Sequence, residues 1–581
     1  RTWTVSWVVG VIALYLTCAA HPQWRFCPSA IALETHGSLH TFMVTRITPD
    51  SDSAATPEAA STPRRRAAKS AAKSAATSAA STAERVQKNV RRTASGVLGL
   101  HGERMSKVDT AWLRMDSPSN LMMIVGVWTL QPGISYDALC ERVQERLLKY
   151  NRFTQRVVED AAGASWLTDR NFDLANHVVR EKLARPRKGQ TQQSVLQERV
   201  GILAMQPLDP KRPLWQFHLV EDYEDEEGNK GSALLVRIHH CIADGIALIS
   251  VTMSLVDGGA APPSRRRREA PESAEDWIAN ALIKPLTGMT VKALGMAGEG
   301  AAGALNALRD PEKAVNASKL NSAGMARMAW QVMNDAAALA LMPDDSPTRL
   351  KGKPGTAKRV AWCRPIPLAE VKAVGKALNC SVNDVLLSCV AGAIGSYLHE
   401  LGDDVDGKEI RAMVPINLRP LDEAYKLGNR FGLAPLVLPI GLHNPIERVF
   451  DVRRRMNSLK GSTQPLLAFG MLSVAGMLVK PAQEALLNLF GRKTTAVMTN
   501  VPGPAKKLKL CGSTLEQSMF WVPQSGDIGL GVSILSYGGG VQFGVITDTT
   551  LCPDPQAIID AFEPEFNRLS VVTLMLPWGD A

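Results

Sequence analysis

The chain has 581 residues, 45% of them hydrophobic and 21% charged. That balance excludes wholesale disorder and asks for roughly two to four domains with real cores. A formal charge of +10 suggests nucleic acid until it is located: nine basic residues against one acid, Glu84, carry +8 between Arg64 and Arg92, so a basic tail is joined to a nearly neutral body.

Taken in chain order, Trp3–Ala20 is an uncharged apolar run of about bilayer-spanning length. Residues 1–42 read either as a signal anchor or as an artefact of start-site choice, because Met43 opens a new composition. Residues 43–104 are rich in Ala, Ser, Thr, Pro, Lys and Arg, with repeat-like AAKSAAKSAATSAAST. Such a segment cannot bury enough surface to offset its ordering entropy, so it is expected to be a disordered basic tail or an electrostatic tether.

The globular body opens near Met105. Leu121–Leu130 reads as a buried strand, and Tyr136–Tyr150 as an amphipathic helix with Leu139, Val143, Leu147 and Leu148 on one face. Pro207–Val220 enters a further strand, Ser232–Ile238 is another, and Ala243–Val256 reads as a helix. These elements make an N-terminal block over 105–256. Residues 257–356 read as a linker and helical crossover, with helices expected at Trp277–Leu286 and Met325–Leu341.

A second α/β block fills 357–581. Strands are expected at Arg359–Ile366, Arg411–Pro415, Leu433–Ile440 and Ala496–Thr499, and helices at Leu368–Leu378 and Val382–Leu398, the latter capped by Ser381. Leu466–Val479 is apolar but short for a membrane span and reads as a core helix, and Ile528–Leu535 with Val541–Thr547 as a hairpin. Nine scattered cysteines include no Cys-x-x-Cys pair, which leaves no zinc knuckle or thioredoxin-type motif and fits a reducing compartment.

Chemistry concentrates in His239-His240-Cys241-Ile242-Ala243-Asp244-Gly245, at a strand-to-helix junction in a chain with only ten histidines. Neither a Gly-x-Ser-x-Gly elbow nor a phosphate-binding glycine loop accompanies the pair. Adjacent strand side chains diverge, so the two imidazoles do not readily share a metal ion. What remains is a histidine acting as general base, removing a proton from a hydroxyl or thiol that attacks an activated acyl group. Cys241 reads as a packed small residue rather than a nucleophile.

The motif resembles the active-site signature of acyltransferases with the chloramphenicol-acetyltransferase-like fold. Within them the chain looks most like the bacterial wax ester synthase/acyl-CoA:diacylglycerol acyltransferase family. Arg212-Pro213-Leu214-Trp215, Ser381-Val382-Asn383-Asp384-Val385, Val414-Pro415-Ile416-Asn417-Leu418-Arg419, Gly428-Asn429-Arg430-Phe431-Gly432 and Asn500-Val501-Pro502-Gly503-Pro504 occur in order. The likeness runs from about Met105 to Leu576.

The resemblance implies two similar α/β domains with an interdomain tunnel, preceded by the disordered basic tail. It implies His240 as the base, with acyl-CoA as donor substrate, diacylglycerol or a long-chain alcohol as acceptor, and no cofactor or metal. Asp244 would pair with a basic group, Gly245 would permit a turn that a side chain would block, and His239 would pack or orient its neighbour. Asn383 and Asp384 are expected mainly to cap and shape a helix start or line the tunnel, and Asn500 to offer an amide to an oxyanion. The resemblance also implies cytoplasmic residence with peripheral association with the inner face of the plasma membrane and lipid inclusions, and no specific nucleic acid. Competing readings are a condensation-type acyltransferase of secondary metabolism and a non-catalytic lipid-inclusion coat protein.

Overall fold

The computed structural model describes residues 102–576, apart from 161–162, 260–341, 420–426, 461, 463, 477–482, 484–490 and 492. The apolar segment 1–42, nearly all of the basic tail and the helices expected at Trp277–Leu286 and Met325–Leu341 lie outside the described residues.

The first stretch runs β1 (Glu103–Arg104), α1 (Lys107–Arg114), β2 (Met123–Gln131), α2 (Tyr136–Glu145), β3 (Gln155–Asp160), β4 (Gly163–Thr168), β5 (Val178–Glu181), α3 (Gln192–Ala204), β6 (Trp215–Glu224), β7 (Lys230–His239) and α4 (Gly245–Leu255). After the crossover come β8 (Lys358–Trp362), β9 (Ile366–Pro367), α5 (Leu368–Ala377), α6 (Val382–Glu400), β10 (Ile410–Asn417) and β11 (Phe431–Leu438). Then follow α7 (Pro445–Lys460), α8 (Gln464–Ala475), β12 (Ala496–Pro502), β13 (Lys509–Leu510), β14 (Ser513–Trp521), β15 (Leu530–Tyr537), β16 (Gly540–Asp548) and α9 (Pro555–Leu574).

Two mixed sheets organise the molecule. One has the order β13-β14-β2-β7-β6-β5, the other β11-β10-β12-β15-β16-β8 with β9 beside β16; β1, β4 and β3 form a small third sheet. The C-terminal stretch is therefore not confined to its own sheet. β14 pairs antiparallel with β2, Met519 opposite Val127, and so completes the sheet that carries the histidines. Sequence periodicity misses β14 because a bulge between Leu515 and Gln517 breaks its alternation.

Local chemistry explains the element ends near the site. Ser381 caps α6 through a capping box, its hydroxyl accepting from the Asp384 amide while the Asp384 side chain accepts from the Ser381 amide. α6 is the central buried helix of the larger core, packed with α9 against the second sheet. The helix expected from Tyr136 to Tyr150 stops at Glu145 and continues as two short 3-10 turns. Of the apolar run at 466–479, residues 466–475 lie in α8, a core helix between β11 and α1, and 477–479 lie outside the described residues. Among the described residues no single helix is long and apolar enough to cross a membrane; the bent pair of α5 and α6 meets that test together, and α6 is largely buried.

β11 and α8 approach so closely that only a glycine fits between them. A Cβ on Gly432 would lie 1.9 Å from the carbonyl oxygen of Pro465. Gly432→Ala is expected to force these elements apart and destabilise the fold by about 1–3 kcal/mol, the usual cost of overpacking. Calorimetry on the purified protein checks this, and an unchanged melting temperature would contradict it.

Candidate active site

β7 ends at His239, and the chain turns out of the sheet at the next residue. The His240 amide donates to the Met122 carbonyl at 2.7 Å, which keeps this residue tied to the edge of β2. The two imidazoles diverge. His239 Nδ1 accepts from the Cys241 amide at 3.2 Å, and its Nε2 lies 3.4 Å from Asp116 Oδ1. Cys241, Ile242 and Ala243 are fully buried, so the turn is sealed from solvent.

Asp244 is the pivot of the turn. Its Oδ1 accepts from the Ala247 amide and caps α4. Its Oδ2 accepts from Arg419 Nη2 at 2.9 Å and from the Arg430 amide at 2.9 Å. Both Asp244 and Arg419 are buried, so this ion pair is held away from water. α4 therefore starts one residue beyond Asp244 rather than at Ala243. Gly245 departs from its expected role: a Cβ there would meet open space, so no steric demand of the turn explains the glycine.

A second segment locks onto the motif from the far side of the sequence. The Gly428 amide donates to the Ile242 carbonyl at 3.1 Å, and Ala243 and Gly428 form a parallel bridge. Gly428 has φ +104°, a conformation side chains rarely adopt, and a Cβ would also crowd Asp109 at 3.3 Å. Asn429 Nδ2 donates to the His240 carbonyl at 2.7 Å and to Asp109 Oδ1 at 2.8 Å.

The His240 ring sits between aromatic walls. Trp112 stacks on it at 4.4 Å between centroids and 16° between planes, and Phe431 tilts against it at 5.5 Å. Only 3% of the residue is exposed. Burial disfavours the charged ring and pulls its pKa down to about 4, against the opposing pull of its own carbonyl and of Asp244. The imidazole is thus neutral at neutral pH, with a lone pair free to accept a proton.

His240 lines a cavity of about 640 Å³, within the range of small-molecule sites. Its walls are mainly apolar and come from both stretches, including Met115, Met413, Leu433, Met471 and Phe520. Asn383 and Asn500 also line it and are joined, Asn500 Nδ2 donating to Asn383 Oδ1 at 2.6 Å. The structure separates the Asn383-Asp384 pair. Asp384 is bound in the capping box, whereas Asn383 faces the cavity and caps nothing.

Sequence reasoning singled out His240, His239, Asp244, Gly245, Asn383, Asp384 and Asn500, but not Trp112, Asp109, Arg419, Asn429 or Phe431. Arg419, Asn429 and Phe431 lay inside quoted motifs, which was a usable signal. Trp112 and Asp109 share one face of α1, one turn apart, and carried no signal at all.

The wax ester synthase/diacylglycerol acyltransferase catalytic-domain model matches residues 105–386, and the WS/DGAT C-terminal-domain model matches residues 427–570. The probable diacylglycerol O-acyltransferase tgs1 of Mycobacterium tuberculosis is 27% identical over 480 residues, covering 81% of this chain and 96% of the relative. The wax ester synthase/diacylglycerol acyltransferase 8 of Arabidopsis thaliana is 24% identical over 487 residues, covering 76% and 90%. In fold, the chain is similar to the solved wax ester synthase/diacylglycerol acyltransferase from Marinobacter aquaeolei VT8, with a TM-score of 0.54 and 19% identity over 81% of this chain and 99% of that one.

Two outcomes follow from the electrostatics. Asp244→Ala should destabilise the protein by about 3–5 kcal/mol, because it removes a buried carboxylate that accepts from the Ala247 amide, the Arg430 amide and Arg419 Nη2; equilibrium urea unfolding measures this, and a loss under about 1 kcal/mol would contradict it. The His240 ring is neutral in the fold at pH values where the unfolded ring, with pKa about 6.5, takes up a proton. Its stabilising contribution is complete above pH 6.5 and falls away as pH drops toward 4, by roughly 3 kcal/mol. His240→Gln should therefore lose less stability than the wild type between pH 7.5 and 4.5, and parallel pH dependences would refute the assignment.

Proposed function

The chain belongs to the wax ester synthase/diacylglycerol acyltransferase family, and from that premise we propose that His240 is the general base of its acyl transfer. The reaction moves a long fatty acyl group from acyl-CoA to a diacylglycerol, forming triacylglycerol, or to a long-chain alcohol, forming a wax ester.

One observation carries the assignment of the base: a neutral, aromatic-walled imidazole opening on an apolar cavity lined from both stretches of the chain. Nδ1 is buried, which leaves Nε2 as the nitrogen offered to the cavity. Nε2 takes the proton of the acceptor hydroxyl as its oxygen attacks the thioester carbonyl carbon. A carbon–oxygen bond forms and the carbonyl oxygen gains negative charge. Collapse of this tetrahedral species breaks the carbon–sulfur bond, and the leaving thiolate takes the proton back from the imidazolium. Such a base typically contributes about 10²–10⁴-fold.

Asn500 and Asn383 form a bonded polar pair in a mainly apolar lining, which supports an amide of this pair as the group meeting the oxyanion. Cys241 plays no covalent part in this scheme, since it is fully buried in the turn. The water-insoluble acceptors fit an enzyme working peripherally at a membrane or lipid-inclusion surface.

The test is release of CoA from palmitoyl-CoA with hexadecanol or a diacylglycerol as acceptor. His240→Ala should lower kcat/KM by about 10²–10⁴-fold, whereas Cys241→Ala should stay within about threefold of the wild type. Activity of His240→Ala equal to the wild type would overturn the proposal, and total loss in Cys241→Ala would point to an acyl-cysteine intermediate instead.

A further inference from the structure

β10 and β12 are neighbours in the second sheet, but their pairing is short. Among the described residues they pair in parallel at Ala412 with Ala496 and at Met413 with Val497, and no further. Their outer edges stay bonded to the ends, β10 to β11 as far as Asn417 and β12 to β15 as far as Pro502. The later halves of the two strands therefore part, and a slot opens between them. It lies beside the candidate base: Phe431, which tilts against the His240 ring, pairs with Asn417 at the end of β10.

The cavity fills this slot. Successive strand residues point to opposite faces of a sheet, and the lining contains both sets. Val414, Ile416 and Met498 belong to the face covered by α6 and α7. Val501, and with it Thr499, belongs to the face toward His240. A void bounded by both faces of the same two strands passes through the sheet between them. On the far side it meets Leu387 of α6 and Met456 of α7, which are buried in the core there and close it off. The bonded Asn500 and Asn383 stand between β12 and the first turn of α6, and the walls beyond them, Leu387, Val414, Met456 and Met498, are apolar.

A closed apolar chamber behind a polar threshold fits a linear hydrocarbon chain whose polar end stays at the reacting centre. Each methylene placed there leaves water, whereas the charged phosphates of CoA could not enter without losing their hydration. We propose that this chamber receives the fatty chain of one substrate, threaded from His240 through the slot, and that Leu387 and Met456 set the longest chain accepted. The chain is that of the acyl-CoA or that of the long-chain acceptor, and the experiment tells them apart. The inference rests on His240 marking the reacting centre.

CoA release is measured in two series: octanoyl-CoA to stearoyl-CoA with hexadecanol, and octanol to octadecanol with palmitoyl-CoA. Met456→Trp fills the chamber. It should lower kcat/KM for the longest members of one series by about 10-fold or more, with the shortest within about threefold of the wild type. The other series should keep the shape of its profile, and the series that changes identifies the occupant. Leu387→Ala enlarges the chamber and should move the optimum of that same series toward longer chains. Folded variants with both profiles unchanged in shape overturn the inference, and a shift in both series contradicts occupancy by one chain. Should Met456→Trp not fold, unchanged profiles in Leu387→Ala overturn it alone. A fully active His240→Ala overturns the base assignment instead, whatever the chain-length profiles do.

Discussion

Everything at this site depends on keeping one imidazole dry and uncharged. A ring stacked on Trp112 and closed in by Phe431 is almost wholly buried, and burial disfavours its charged form, so it stays neutral far below its ordinary pKa. That environment cannot be built by the histidine motif alone. Trp112 comes from α1, and Phe431 opens β11, nearly two hundred residues after the motif. The backbone of the turn is likewise completed from outside, with Gly428 pairing to Ile242 and Ala243, and Arg419 balancing Asp244. The two stretches of the chain therefore do more than enclose a cavity. Each supplies polar partners that the other would otherwise bury unsatisfied, and such partners are costly to remove.

This mutual completion explains the architecture around the site. β14 crosses from the C-terminal stretch to pair with β2, the strand whose edge also holds the His240 amide. α8 lies between α1 and β11, the elements that carry Trp112 and Phe431. Gly432 and Gly428 keep the clearances small, one by allowing β11 onto α8 and the other by adopting a left-handed backbone beside Asp109. The cavity that results is apolar except for a few groups, which suits long acyl chains meeting a small reacting centre.

Much of the fold was legible because local signals agree with tertiary ones. Ser381 and Asp384 form the capping box that opens α6, and the aliphatic run Ser232–Ile238 lies within β7. Legibility failed where a residue's role depends on distant partners. Asp244 could be expected to meet a basic group, but nothing in its neighbourhood names Arg419. Asn383 and Asp384 are adjacent and chemically alike, yet helix geometry sends one to the cap and the other to the cavity. Gly245 looked like a steric necessity and is not one, since open space surrounds its missing Cβ. Trp112 was invisible because stacking on a histidine 128 positions later has no sequence pattern.

The central claim is the protonation state of a single ring, and NMR reads it directly. Protein carrying ring-¹⁵N histidine is titrated from pH 8 to pH 4.5, with His240→Gln used to assign the signal. The account predicts a His240 resonance pair typical of a neutral ring, with the proton on Nδ1, unchanged until the acid end of the range. A ring that titrates near its ordinary value of about 6.5, or one that carries its proton on Nε2, would contradict it.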